Sequence, residues 1–269
     1  MRSAGSRKAV FITGAASGIG LASAKRFVAE GWFVGLSDID ATGLKAALAA
    51  IGPDHGATIA LDVRDRPAWT AALADFAELT GGRLDVLLNN AGVARFGPFD
   101  NHDDAGIDLQ LDVNLKGVIN GARAALPWLK GTPGSRLINI SSCAGLYGAP
   151  GLAVYSATKF AVRGLSEALD VEWKPYGVGV ACVMPWFVET PILNAGAPGS
   201  NQTMADVLRG DGLPVYSVED AAEVIWRAVH GKDLHYFVGK RARQMRFASS
   251  HMPGMVRKQL RSRPALQQP

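Results

Sequence analysis

The sequence predicts an α/β fold, a doubly wound parallel sheet of seven strands in a single domain. Two observations carry this expectation. Over roughly the first 190 residues, short β-rich runs alternate with alanine-rich helical patterns, as parallel strands joined by crossover helices do. The runs are also near-continuously apolar, which is how strands buried on both faces read. A third observation, the lack of an internal repeat or a domain linker, keeps the chain in one unit.

The elements follow in order. Apolar runs at 10–12, 33–36, 58–61, 86–88, 137–140 and 178–183 are the expected strands. Helical patterns near 19–30, 41–50, 67–80, 106–130 and 155–175 lie between them. Residues 191–214 break the alternation with Gly196, Pro198, Gly199, Gly210, Gly212 and Pro214, so they are expected to form a substrate lid. A helix over 218–230 opens with Ser217, Val218, Glu219 and Asp220, a capping-box-like start. It leads to a seventh strand over 234–238. A single domain is therefore placed at 1–239, with a basic C-terminal extension at 240–269.

Composition excludes several classes. With 48% hydrophobic and 19% charged residues in 269, the chain is not of the disordered type. Two cysteines build neither a disulfide scaffold nor a closed zinc site, and Cys143 and Cys182 are expected to pack as small apolar residues. No apolar run reaches the ~18 residues of a membrane span, and the N-terminus lacks the apolar core of a secretory signal. The expectation is a cytoplasmic protein. Glycine, 31 of 269 residues, exceeds the usual ~7% and points to tight turns or close backbone approach. The net charge of +4 is local: residues 1–239 hold 20 basic and 24 acidic side chains, whereas 240–269 hold eight basic and none acidic. Nucleic-acid binding has only this tail in its favour.

The first strand runs into a glycine-spaced turn, Gly14, Ser17, Gly18, Ile19 and Gly20, that opens a helix. Glycines there let the backbone approach a pyrophosphate at the positive helix end. The second strand ends in Asp38, about 20 residues further on, where an acid bonds the ribose hydroxyls of an adenosine and repels a 2′-phosphate. Neither Ser17 nor Ile39 is a cation that would welcome that phosphate, so NAD is favoured over NADP. Asp40 reads as the cap of the next helix. Asp62, and Asn89 with Asn90, Ala91 and Gly92, follow two further strands on the same carboxyl edge.

Tyr155 and Lys159 stand at i and i+4 on one helix face, ~5–6 Å apart at Cβ. An ammonium so near lowers a phenol pKa and suits tyrosine to general acid–base work. Ser142, thirteen residues before Tyr155 at a strand end, adds a hydroxyl for the same reacting oxygen. Asn114 lies within a helical pattern, a poor place for asparagine unless its amide has a task.

Thr13, Gly14, Gly18, Ile19 and Gly20, with Asn89 to Gly92, Asn114, Ser142, Tyr155 and Lys159, resemble in order and spacing the short-chain dehydrogenase/reductase family. The resemblance spans residues 8–191 and continues loosely to 239. It implies a Rossmann fold with strand order 3-2-1-4-5-6-7, hydride exchange with a nicotinamide, and an Asn-Ser-Tyr-Lys tetrad. Tyr155 would be the acid–base, Ser142 would orient the substrate oxygen, Lys159 would tune Tyr155 and bind the nicotinamide ribose, and Asn114 would hold a relay water. Asp62, with Val63, would sit by the adenine, Asn90 near its ribose, and Pro185, Val188 and Thr190 near the carboxamide. The resemblance further implies a homodimer or homotetramer. One departure stands out: Trp186 occupies the position the family gives to glycine, and a positive φ there would strain it.

Arg95, Phe96, Leu146, Tyr147, Trp186, Phe187 and Leu193, with the loop through Met204 and Leu208, are the expected pocket wall. Such an inventory suits a small hydrophobic substrate, a secondary alcohol or ketone; Arg95 is open to a carboxylate or to solvent. Two rival readings are an NADPH-dependent reductase of β-ketoacyl thioesters and a non-catalytic dinucleotide-sensing binding protein. For the tail, docking on the protein's own acidic body or on a neighbouring subunit stands beside weak contact with an anionic membrane surface.

Overall fold

The computed structural model describes residues 4–194, 203–210 and 212–262. Seven strands form one wholly parallel sheet: β1 (Ala9–Thr13), β2 (Phe33–Asp38), β3 (Gly56–Ala60), β4 (Val86–Asn89), β5 (Arg136–Ile140), β6 (Gly179–Pro185) and β7 (His235–Val238). Their order is β3-β2-β1-β4-β5-β6-β7. The order reverses direction between β1 and β4, so the crevice at the carboxyl ends of these strands is the place for a ligand.

Helices cover both faces. On one side lie α1 (Gly18–Ala29), α2 (Ala41–Ile51) and α8 (Val218–His230), and on the other α3 (Arg66–Thr80), α5 (Gly117–Lys130) and α6 (Ala153–Trp173). Alternation along β1 decides which core each side chain joins. Val10 and Ile12 pack with Phe27, Leu44 and Ile225, whereas Phe11 packs with Trp69, Phe76 and Leu129. Caps fix several helix starts. Asp40 accepts from the Thr42 and Gly43 N–H groups, Asp65 from Ala68 N–H, and Ser217 forms a reciprocal capping box with Asp220.

One expectation is refined. The helix expected over 106–130 contains a π-helical turn at Asp112–Lys116, between α4 (Asp104–Leu111) and α5. Asn114 lies in this turn, and its buried amide bonds the Val93 backbone. The extension expected from residue 240 packs on the body. Helix α9 (Lys240–His251) buries Ala242 against Cys143, Cys182, Met184 and Trp186, and α10 (Pro253–Arg261) buries Val256. Of the expected lid, residues 195–202 and 211 lie outside the described residues. The remainder forms a turn at Pro191–Asn194 and α7 (Met204–Gly210), and Leu193, Met204 and Leu208 pack with Phe96 and Leu152. Among the described residues no helix is long and apolar enough to cross a membrane. Both cysteines are free and buried.

Candidate active site

The carboxyl edge of the sheet encloses a cleft of about 440 Å3. At its centre the glycine turn crosses the ends of β1 and β4. Gly14 has φ +65°, and a Cβ there would lie 2.9 Å from the Ala91 Cα; a Cβ on Gly20 would collide with the Gly14 carbonyl. Thr13 Oγ1 accepts from the Asn90 and Ala91 N–H groups, and Asn90 Nδ2 donates to the Thr13 and Gly14 carbonyls at 2.9 and 3.1 Å. The Asn90 amide thus stitches β4 to the turn, although the residue still lines the cleft. Helix α1 starts after Ser17 with no side-chain cap and no acid in its first turn, which leaves its positive end open toward an anion.

One end of the cleft is acidic. Asp38 accepts from the Ala16 and Asp40 N–H groups at 3.2 and 3.1 Å and faces the cleft beside Ile39, which is 73% exposed. Asp62 is gripped by the Arg64 guanidinium, with its shortest N···O distance 2.6 Å, and this pairing holds its carboxyl below the usual range. Val63 lines the same end. Arg64 was not among the expected cleft residues; nothing in the sequence pairs it with Asp62 except their i, i+2 spacing.

The other end holds the reactive cluster. Ser142 follows β5 by two residues in extended backbone and accepts from Ala144 N–H at 3.1 Å while its side chain bonds Tyr155. Lys159 is 3% exposed, donates to the Ile140 carbonyl at 2.9 Å and places its Nζ 5.5 Å from the Tyr155 ring centroid. Burial pushes the Tyr155 phenol up to about 12, against the pull of the Ser142 bond, and drops the Lys159 ammonium to about 8. The depression of the phenol by lysine expected from i, i+4 spacing does not appear here, where burial is the dominant influence and the Ser142 bond the opposing one. Asn114 is fully buried and forms a reciprocal pair with the Val93 backbone, 2.8 Å in each direction. It does not line the cleft but reaches Thr158 on α6 at 3.4 Å, tying the π turn to the helix that carries Tyr155.

The remaining expected residues divide. Ser17, Gly18, Ile19, Ala91, Gly92, Pro185, Val188 and Thr190 line the cleft, as do Tyr147, Trp186, Phe187 and Leu193. Gly20 lies behind the turn. Arg95 is a correction: its side chain is exposed and turned toward Gly106 of α4. Leu146 is another, packed into the cluster behind the wall. Trp186 is unstrained, since every non-glycine residue described has negative φ. Its ring meets Phe187 edge-on at 5.3 Å and backs onto α9. Val113, inside the π turn, and Leu152, just before α6, also line the cleft; the geometry of both positions is invisible in hydropathy.

A parallel doubly wound sheet with a glycine turn at its switch point, and a tyrosine–lysine pair opening a helix beside it, defines an α/β oxidoreductase. The chain belongs to the short-chain dehydrogenase family, whose description matches residues 8–200. It is 39% identical over 188 residues to 2,5-dichloro-2,5-cyclohexadiene-1,4-diol dehydrogenase LinX of Sphingobium indicum, covering 69% of this chain and 74% of the relative. It is also 39% identical over 186 residues to a 3-alpha-(or 20-beta)-hydroxysteroid dehydrogenase of Mycobacterium tuberculosis, covering 69% and 70%. Among solved structures, the 3-ketoacyl-(acyl-carrier-protein) reductase of Brucella melitensis complexed with NADH superposes with a TM-score of 0.78 at 28% identity, covering 87% of this chain and 98% of that one. The protein is an enzyme acting on CH–OH groups.

Proposed function

We propose that the enzyme moves a hydride between NAD and a hydrophobic secondary alcohol or ketone, with Tyr155 as general acid–base. The observation that carries this reading is the Ser142–Tyr155–Lys159 cluster at one end of a cleft whose other end is Asp38. The residues present fit a dinucleotide: the bare Gly14 and Gly18 and the uncapped α1 would take its pyrophosphate, and Asp38 its adenosine ribose. Asp38 supports NAD over NADP through charge, and the NADH in the Brucella reductase is in keeping with that. When bound, the nicotinamide supplies the hydride acceptor or donor.

The chain supplies the proton chemistry. Tyr155 Oη gives its proton to the carbonyl oxygen in reduction and takes the hydroxyl proton in oxidation; Ser142 holds the same oxygen; Lys159 places a cation behind the ring. The apolar wall of Phe96, Trp186, Phe187 and Leu193 excludes water and fits an apolar substrate body, in line with the steroid and cyclic diol named for the two relatives. Tyr155→Phe is expected to lower kcat by about 10²–10⁴-fold with cofactor binding retained, read as NADH absorbance on a panel of hydrophobic alcohols. Because the phenol is pushed up to about 12, Tyr155 is protonated at neutral pH. Oxidation is therefore expected to accelerate as pH rises through the alkaline range, while ketone reduction does not. Unchanged activity in the phenylalanine variant, or turnover of sugar alcohols only, overturns the reading.

A further inference from the structure

Helices α9 and α10 contain Lys240, Arg241, Arg243, Arg246, Arg257, Lys258 and Arg261 and no acidic residue, on a body that is net acidic. Exposed apolar side chains lie among these cations: Phe247 is 57% exposed and Met255 52%. Helical spacing puts Lys240, Arg243 and Phe247 at i, i+3 and i+7, on the face opposite the buried Ala242. Phe247 stacks on His251 at 4.5 Å, which holds that ring in place on the surface. On α10, Met255 and Lys258 share the face opposite Val256 and Leu260, and Met252 lies exposed between the two helices. The pair is fixed to the substrate end of the cleft, because Ala242 and Met245 pack in the cluster that contains Trp186 and Phe187.

We propose that the α9–α10 face docks on an anionic lipid bilayer. Its cations meet headgroup phosphates while Phe247, Met252 and Met255 enter the interface. A phosphate backbone would engage the cations but gives an exposed phenylalanine and two methionines nothing to bury in, which is why the bilayer is the better partner. Docking there would set the Trp186 wall close to a lipid phase in which hydrophobic alcohols concentrate; that consequence rests on the substrate class proposed above, whereas docking does not.

The test is sedimentation of the full-length protein with vesicles of phosphatidylcholine alone or with about 30% phosphatidylglycerol. Binding is expected to the anionic vesicles only and to fall as salt is raised to about 0.5 M. Arg243→Glu with Lys258→Glu is expected to weaken it by about tenfold or more, and Phe247→Ser with Met255→Ser to weaken it without altering its salt dependence. Absence of binding, or binding by either double variant equal to that of the unaltered protein, overturns the proposal. So does a fall in oligomer mass by light scattering in the Phe247/Met255 variant, which makes this face a subunit interface. Tighter binding to a DNA duplex, independent of Phe247, overturns it as well. Turnover of dissolved alcohols is measured alongside: lost turnover with retained vesicle binding removes the substrate reading alone, and the converse removes docking alone.

Discussion

At the scale of single residues, Lys159 sets folding stability against the role proposed for it. Its ammonium is buried and compensated by one carbonyl, and its pKa falls from 10.5 to about 8. Folding must therefore hold a proton that the buried site resists, a cost of about 3 kcal/mol at neutral pH before the Ile140 hydrogen bond is credited. The folded pKa is the lower one, so between pH 8 and 10.5 the unfolded chain binds more protons and stability rises with pH. Lys159→Met is expected to gain about 1–2 kcal/mol at pH 7 while losing activity, the gain shrinking as pH climbs through that window; denaturant melts at pH 7 and 10 check it. The residues proposed for the chemistry stand out in the sequence, because Ser142, Tyr155 and Lys159 are polar residues near a strand end and a helix start. Their electrostatics do not. Spacing shows that Lys159 is near Tyr155, but only the packed structure shows that burial, not the lysine, dominates the phenol. Arg95 and Leu146 failed for the same reason in reverse, since side-chain direction in a loop has no sequence periodicity.

At the scale of elements, two interruptions of regular structure position the site. The π turn at Asp112–Lys116 rotates Asn114 inward to bind the Val93 backbone, and α5 resumes from there. A helical hydropathy pattern runs through such a turn without a break, so one long helix was expected. The presence of asparagine in it was the visible signal. Trp186 is the second case: a glycine at this position would end β6 without a side chain, whereas the indole fills the space under α9 and forms part of the cleft wall. It is 8% exposed with its Nε1 lacking a protein partner, so burial of the ring is what holds it. Trp186→Ala is expected to cost about 3–5 kcal/mol. The loss is local in character: amide exchange across α9 and β7 accelerates more than in β1, β2 or β4, as hydrogen-exchange mass spectrometry reads. Equal acceleration throughout the sheet would mean that the ring supports the whole core and not this corner of it.

At the scale of the whole molecule, charge and core give different boundaries. By charge, the chain divides at residue 239, with an acidic body before it and a run of cations after it. The two apolar faces of the sheet agree with the sequence up to that point, because near-continuous apolar runs leave a parallel strand little choice of environment, while its strand order is the one the family resemblance implied. Hydropathy alone says little of α9, where a single alanine and a methionine face inward among arginines, and the charge pattern dominates. Yet Ala242 is fully buried against the wall that contains Trp186, Met184 and Cys182, and Val256 of α10 is 5% exposed. A chain ending at Gly239 would open that wall to water and lose the burial of Ala242, Met245 and Val256, about 3 kcal/mol or more at roughly 25 cal/mol per Å2. Truncation is therefore expected to lower the melting temperature and expose the Trp186 cluster, read as increased binding of an apolar dye and reduced turnover. A truncated enzyme that melts and turns over like the full chain would show that α9 and α10 rest on a wall already complete without them.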